Sequence, residues 1–104
     1  MRDNLYSKLS SLDRTINEPA RLSIMAALYD LKEADFVFLQ RLTGLTRGNL
    51  SAHIYKLADK GYIAVEKRFV GKKPVTVCRL TPEGERAFRE YVRVLEDLVK
   101  GKGD

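Results

Sequence analysis

The chain has 104 residues, enough for one compact domain and little more. Its 44% apolar content suits a modest globular core, and no apolar run approaches the roughly 20 residues of a membrane-spanning helix. Lys and Arg number 19 against 14 Asp and Glu, for a net charge of +5, and the single cysteine, Cys78, excludes an internal disulfide framework.

Met1-Arg2-Asp3-Asn4 leads into an amphipathic pattern with no apolar signal core, which points to a cytoplasmic protein. Leu5, Leu9, Leu12 and Ile16 then recur at helical spacing and predict a first helix running to about Ile16. Asn17-Glu18-Pro19 stops it and starts another, because proline suits the first turn, where no amide donor is needed. The second helix is expected from Pro19 to about Lys32, with Leu22, Met25, Leu28 and Leu31 inward.

Asp35 is placed to cap a short third helix, Phe36 to Thr43, which Gly44 ends with a left-handed residue. Thr46 caps a fourth helix through Lys60, and Gly61 closes it. Two helices joined by a short turn containing glycine form a helix-turn-helix. Tyr62 to Val70 and Val75 to Leu80 are rich in β-branched and aromatic residues, and the turn sequence Gly71-Lys72-Lys73-Pro74 lies between them, so a hairpin is expected. Thr81-Pro82 opens a last helix through about Lys100, with Phe88, Tyr91, Val92, Leu95, Leu98 and Val99 as its apolar positions.

This order of elements is a mainly helical α+β fold, the winged helix-turn-helix, spanning residues 1–104 as a single domain. Residues 18–81 would form its DNA-binding core. In the fourth helix Leu50, Ile54 and Leu57 share one narrow arc and must face the core. The opposite arc is small and polar, as a helix entering a major groove about 12 Å wide must be. Arg47, Asn49, Ser51, Ala52 and Tyr55 are therefore the expected base-reading residues, with those at the amino end leading. A glycine at position 48 leaves room for close approach to DNA, although any first helical turn tolerates one.

From Lys67 to Arg79 there are five cations and no acid. Lysines also protect exposed sheet edges, but beside a helix-turn-helix they suit phosphate. Thr46, Lys56, Arg68, Lys72 and Lys73 are the expected phosphate contacts. His53 reads as a half-buried packing residue on the flank of the fourth helix, and Cys78 as an inert, partly buried thiol. No glycine-rich phosphate loop or paired catalytic group is present, so neither enzyme activity nor a cofactor or metal site is expected.

Three blocks carry a family resemblance: Leu45-Thr46-Arg47-Gly48-Asn49-Leu50-Ser51, Lys60-Gly61-Tyr62-Ile63 and Leu80-Thr81-Pro82-Glu83-Gly84. Together they resemble the MarR/ArsR superfamily of winged-helix transcriptional regulators, in its short single-domain subgroup. The resemblance implies a dimeric repressor or activator, with the fourth helix in the major groove and the wing on the backbone or minor groove. Two features depart from it. The wing carries Val70-Gly71-Lys72-Lys73-Pro74 where longer MarR-type proteins have an Asp-x-Arg element, and the closely spaced cysteines or histidine–carboxylate clusters of metal-sensing members are missing.

Apolar terminal helices, over 1–16 and 82–100, would leave an exposed patch on so small a domain unless a second copy covers it. Leu5, Leu9, Leu12, Tyr91, Leu95 and Leu98 are the expected dimer contacts. The rival reading, a winged helix serving protein–protein contact within the transcription machinery, fits a basic wing less well.

Overall fold

The computed structural model describes residues 5–100. Along this stretch lie α1 (Leu5–Ser10), α2 (Pro19–Leu31), β1 (Glu33–Asp35), α3 (Phe36–Thr43), α4 (Arg47–Asp59), β2 (Ile63–Val70), β3 (Lys73–Leu80) and α5 (Pro82–Lys100). The strands form one antiparallel sheet in the order β1-β3-β2. The fold is a winged helix.

Local chemistry accounts for most of the element ends. Glu18 caps α2 by accepting from the Arg21 amide at 2.8 Å, with Pro19 in the first turn. Asp35 does the same for α3 through the Phe38 amide at 2.8 Å, and Gly44 closes that helix at φ 70°. Gly44, Leu45 and Thr46 are the turn between α3 and α4, and the Thr46 hydroxyl accepts from the Asn49 amide at 3.2 Å. Each capping oxygen satisfies an amide that the helix itself leaves without a partner.

The first helix is shorter than its apolar spacing predicts. It ends at Ser10, because Asp13 Oδ1 accepts from the amides of Thr15 and Ile16 and holds residues 13–16 in a turn. Leu12 and Ile16 therefore enter the core from an irregular segment. In α2 the buried arc is Ile24, Met25 and Leu28; Leu22 is half-buried, and Leu31, expected inward, is 47% exposed. The chain leaves α2 through Lys32, at φ 77° and ψ −46°, and enters β1. This strand, which the sequence pattern does not announce, pairs Glu33, Ala34 and Asp35 with Arg79, Cys78 and Val77.

The core joins α2, α3, α4, the base of the wing and α5 through Ile24, Met25, Leu28, Leu39, Leu50, Leu57, Ile63, Cys78, Phe88 and Tyr91. Tyr29 lies against Phe88, with ring centroids 5.0 Å apart. Gly84, in the first turn of α5, is buried against the carbonyl of Tyr62, where an added Cβ would overlap the carbonyl oxygen. Backbone cannot yield as a flexible side chain can, so Gly84→Ala is expected to destabilise the fold by about 1–3 kcal/mol. Thermal unfolding checks this, as a fall in Tm of roughly 4–8 °C per kcal/mol.

Candidate nucleic-acid interface

Helix α4 buries Leu50, Ile54 and Leu57 and turns the opposite face outward. Arg47, Asn49, Ser51, Ala52 and Tyr55, the expected base readers, are all exposed, and Tyr55 is 70% so. Gly48 lies beside them with nothing within 4 Å of where a Cβ would stand. The guanidinium of Arg47 sits 5.1 Å from the centre of the Phe36 ring, which steadies a long side chain at the entrance of the helix. Thr46 uses one oxygen lone pair for its cap and keeps its hydroxyl proton for another acceptor.

Between α4 and the wing runs an open groove of about 930 Å³. Arg47, Ser51 and Tyr55 line one wall, Lys67, Lys73 and Pro74 the other, and Phe36, Phe38 and Arg41 of α3 its end. The wing tip is tight. Val70 pairs with Lys73, so Gly71 and Lys72 alone form the turn, and Gly71 takes φ 64°. Glycine with positive φ at the first central position is the type II′ pattern, which matches the twist of paired strands. Lys72 and Lys73 are exposed there.

Arg68, an expected phosphate contact, is engaged within the sheet. The guanidinium of Arg68 donates to both carboxylate oxygens of Glu33, at 2.7 and 3.0 Å, and to Glu66 at 2.6 Å. Arg79 holds the other oxygen of Glu66 at 2.6 Å. The hydrogen bonds from Arg68 keep both carboxyls below the usual carboxylate range. Both arginines are thus neutralised across the sheet, and the uncompensated charge of the wing rests on Lys67, Lys72 and Lys73.

A second basic surface, not anticipated from sequence, flanks α4 on another side. Arg14, Arg21, Lys56 and Lys60 line a cleft of about 340 Å³ together with Tyr55 and one carboxylate, Asp59. Lys56 falls here as a helix-surface residue, while Arg14 arrives through the Asp13 turn. Arg21 is committed locally: it donates to the carbonyl of Thr15 and, at 3.1 Å, to Nδ1 of His53. Nδ1 of His53 also lies 3.8 Å from the Glu18 carboxylate, so the half-buried ring is packed between these two side chains. His53 is accordingly a packing residue.

The expected dimer contacts divide. Leu5 and Leu9 are exposed, and Leu95 and Leu98 are half-buried. Leu12 and Tyr91 are instead buried in the core of their own chain, where the Tyr91 hydroxyl donates to Asn17 at 2.7 Å. Neither has surface left to offer a partner.

A basic wing set against an exposed, capped helix of a helix-turn-helix defines the class of DNA-binding winged helices. A family model described as a winged helix DNA-binding domain matches residues 20–99. An uncharacterized protein of Methanocaldococcus jannaschii is 31% identical over 87 residues, covering 84% of this chain and 95% of that one. The structure of a transcriptional regulator homologue from Pyrococcus horikoshii superposes with a TM-score of 0.83 at 27% identity, covering 98% of this chain and 99% of that one. A MarR-family regulator from Enterococcus faecalis gives 0.71 at 24% identity, covering 97% and 90%. ArsR-family regulators share the same fold. The chain belongs to the winged-helix DNA-binding domain family, and it shares its fold with regulators of the MarR and ArsR families.

Cys78 is fully buried and burial pushes its thiol up to about 11, so little thiolate exists near neutral pH. Iodoacetamide at pH 8 is therefore expected to leave Cys78 unmodified in the native protein and to alkylate it once denaturant is added. Mass spectrometry checks this; rapid alkylation of native protein would show an accessible, activated thiol.

Proposed function

We propose that this protein is a cytoplasmic, homodimeric transcriptional regulator that binds double-stranded DNA sequence-specifically. The observation that carries the reading is the exposed amino half of α4, free of acids, opening onto a groove whose far wall bears Lys67 and Lys73. In this reading α4 enters the major groove. Arg47, Asn49, Ser51, Ala52 and Tyr55 face base edges, where arginine suits guanine and asparagine suits adenine. Lys72 and Lys73 meet phosphates under the wing, Thr46 meets one at the start of α4, and Lys56, joined by Arg14, meets the backbone on the other flank.

Dimerisation is supported by the ends of the chain. Leu5, Tyr6 and Leu9 of α1 are exposed, and so is Val99 of α5 at 85%. The radius of gyration, 15.6 Å, exceeds the roughly 13 Å of a compact chain of this length. An elongated monomer with apolar ends suits a partner of its own kind.

Selection of bound fragments from a random duplex pool tests the function, and an inverted repeat is the expected result. Half-site centres should lie about one helical turn, or a small multiple, apart. Asn49→Ala should relax preference at one symmetric pair of positions, worth about 1–3 kcal/mol of discrimination, and change folding stability by well under about 1 kcal/mol, because the side chain is exposed. Lys72→Ala or Lys73→Ala should weaken binding to all duplexes alike and lower the salt slope by about one unit. Titrations at several salt concentrations separate the two behaviours.

Light scattering is expected to give about twice the 11.9 kDa chain mass. Leu98→Glu should bring it down to that of one chain while cooperative thermal unfolding is retained. A wild-type protein that scatters as a single chain at micromolar concentration would exclude the dimer.

A further inference from the structure

The wing tip carries a feature that phosphate contacts do not use. Phe69 is 74% exposed and Val70 is 67% exposed, at the far end of a hairpin whose remaining surface is basic. A large aromatic left in water is a cost that the fold could avoid with any polar residue here. Nothing in the core needs it: Phe69 pairs across the strands with Pro74, which is itself exposed.

Its direction follows from strand alternation. Val65 and Lys67 line the groove that faces α4, and Phe69 continues the same row two residues further on. Pro74 and Lys73, on the neighbouring strand, line that groove as well. Phe69 and Pro74, paired across the strands, therefore stand side by side on the α4 face of the tip with Lys67, and Lys72 and Lys73 follow in the adjoining turn and on the neighbouring strand. The only wing carboxylate, Glu66, is held by Arg68 and Arg79. The third strand, β1, covers β3 only from Val77 to Arg79, so the outer half of the wing projects as two strands. An apolar knob ringed by uncompensated cations fits a polyanion whose interior is apolar, and stacked bases are that.

We propose that Phe69, backed by Pro74, is a wedge that the wing inserts into the minor groove, where it partly unstacks a base step and bends the duplex. The proposal rests on the DNA-binding reading and goes beyond it: the wing deforms DNA, and selects for steps that open readily, in addition to holding phosphates. Apolar wedges act this way because the lost stacking is replaced by contact with the inserted side chain, and flexible pyrimidine–purine steps open most readily. The wing would thereby contribute specificity without a hydrogen bond to any base.

The test uses the intact protein and a duplex of about 30 base pairs, a length that reports bending, carrying the repeat that wild-type protein selects. Dyes at the two ends report bending, and 2-aminopurine placed in turn at each position flanking the half-sites reports unstacking. Wild-type protein should shorten the end-to-end distance and brighten 2-aminopurine at one symmetric pair of positions. Phe69→Ala should abolish both signals and weaken binding about tenfold, with the melting temperature and the preferred half-site sequence unchanged. Phe69→Leu should restore most of the bend. Straight DNA and silent 2-aminopurine with wild-type protein would overturn the wedge while leaving the DNA-binding reading intact. The wedge is equally overturned if Phe69→Ala bends DNA as wild type does, or if it changes the mass in solution, which would make Phe69 a protein contact. A wild-type protein that selects no duplex would overturn both proposals together.

Discussion

The carbonyl of Tyr62 meets the first turn of α5 so closely that position 84 has room for hydrogen alone. Around this point the Thr81 hydroxyl donates to the Gly61 carbonyl at 2.6 Å and accepts from the Gly84 amide at 3.0 Å, while the Thr81 amide donates to Tyr62 at 3.1 Å. The Tyr62 ring reaches in the other direction, its hydroxyl donating to Asp13. Burial and that carboxylate together push the phenol well above its ordinary range, so it stays a donor. Four segments are fastened here: the end of α4, the root of the wing, the start of α5 and the turn after α1. The orientation of α4 relative to the wing is thus fixed by a backbone hydrogen bond and the close approach at Gly84, reinforced by the Thr81 and Tyr62 hydroxyls.

A second constraint sorts charge. Exposed ion pairs contribute little to stability, so the Glu33, Glu66, Arg68 and Arg79 cluster matters chiefly for where it leaves the field. By neutralising two of the five wing cations, it leaves Lys67, Lys72 and Lys73 uncompensated, toward the tip and the α4-facing groove. Glu33 is available for this only because β1 adds a third strand beside β3. A three-residue strand thus helps to decide which side of the wing is basic.

The fold is largely readable from sequence because its element ends are fixed by local chemistry. Asp35, Gly44, Thr46, Gly61 and Thr81 do in the structure what those residue types do at helix ends, and the core arc of α4 follows from spacing alone. The departures share a cause, which is that contacts made elsewhere override a local pattern. The spacing of Leu5, Leu9, Leu12 and Ile16 suits a helix, yet Asp13 binds two amides and closes a tighter turn. β1 has no period to detect, since its pairing partner lies more than forty residues away. Arg68 reads as a free cation in sequence because its partner Glu33 belongs to that undetected strand. The outward face of α4 is legible as a surface from spacing, but Arg14, Arg41 and Lys67 join it only through folding.

Under the proposed function, apolar ends on a domain this small answer to how little one recognition helix can read. Three or four side chains reach base edges from such a helix, each good bidentate pair giving about 1–3 kcal/mol of discrimination. Specific binding must exceed nonspecific binding by roughly 4–10 kcal/mol to compete with a genome of other sites. Three or four such contacts sum to about 3–12 kcal/mol, so a single α4 reaches the upper part of that range only if every contact is near its best. In the proposed dimer a second α4 on a two-fold axis would double the read, and the apolar surface at α1 and the end of α5 would join the copies. Deformation of DNA at the wing tips would add discrimination at positions no helix touches. In the proposed dimer, the apolar residues that the monomer leaves uncovered at its two extremes would be the ones that raise specificity: the terminal helices by bringing a second reader, and the wing tip by making the sequence flanking each half-site matter.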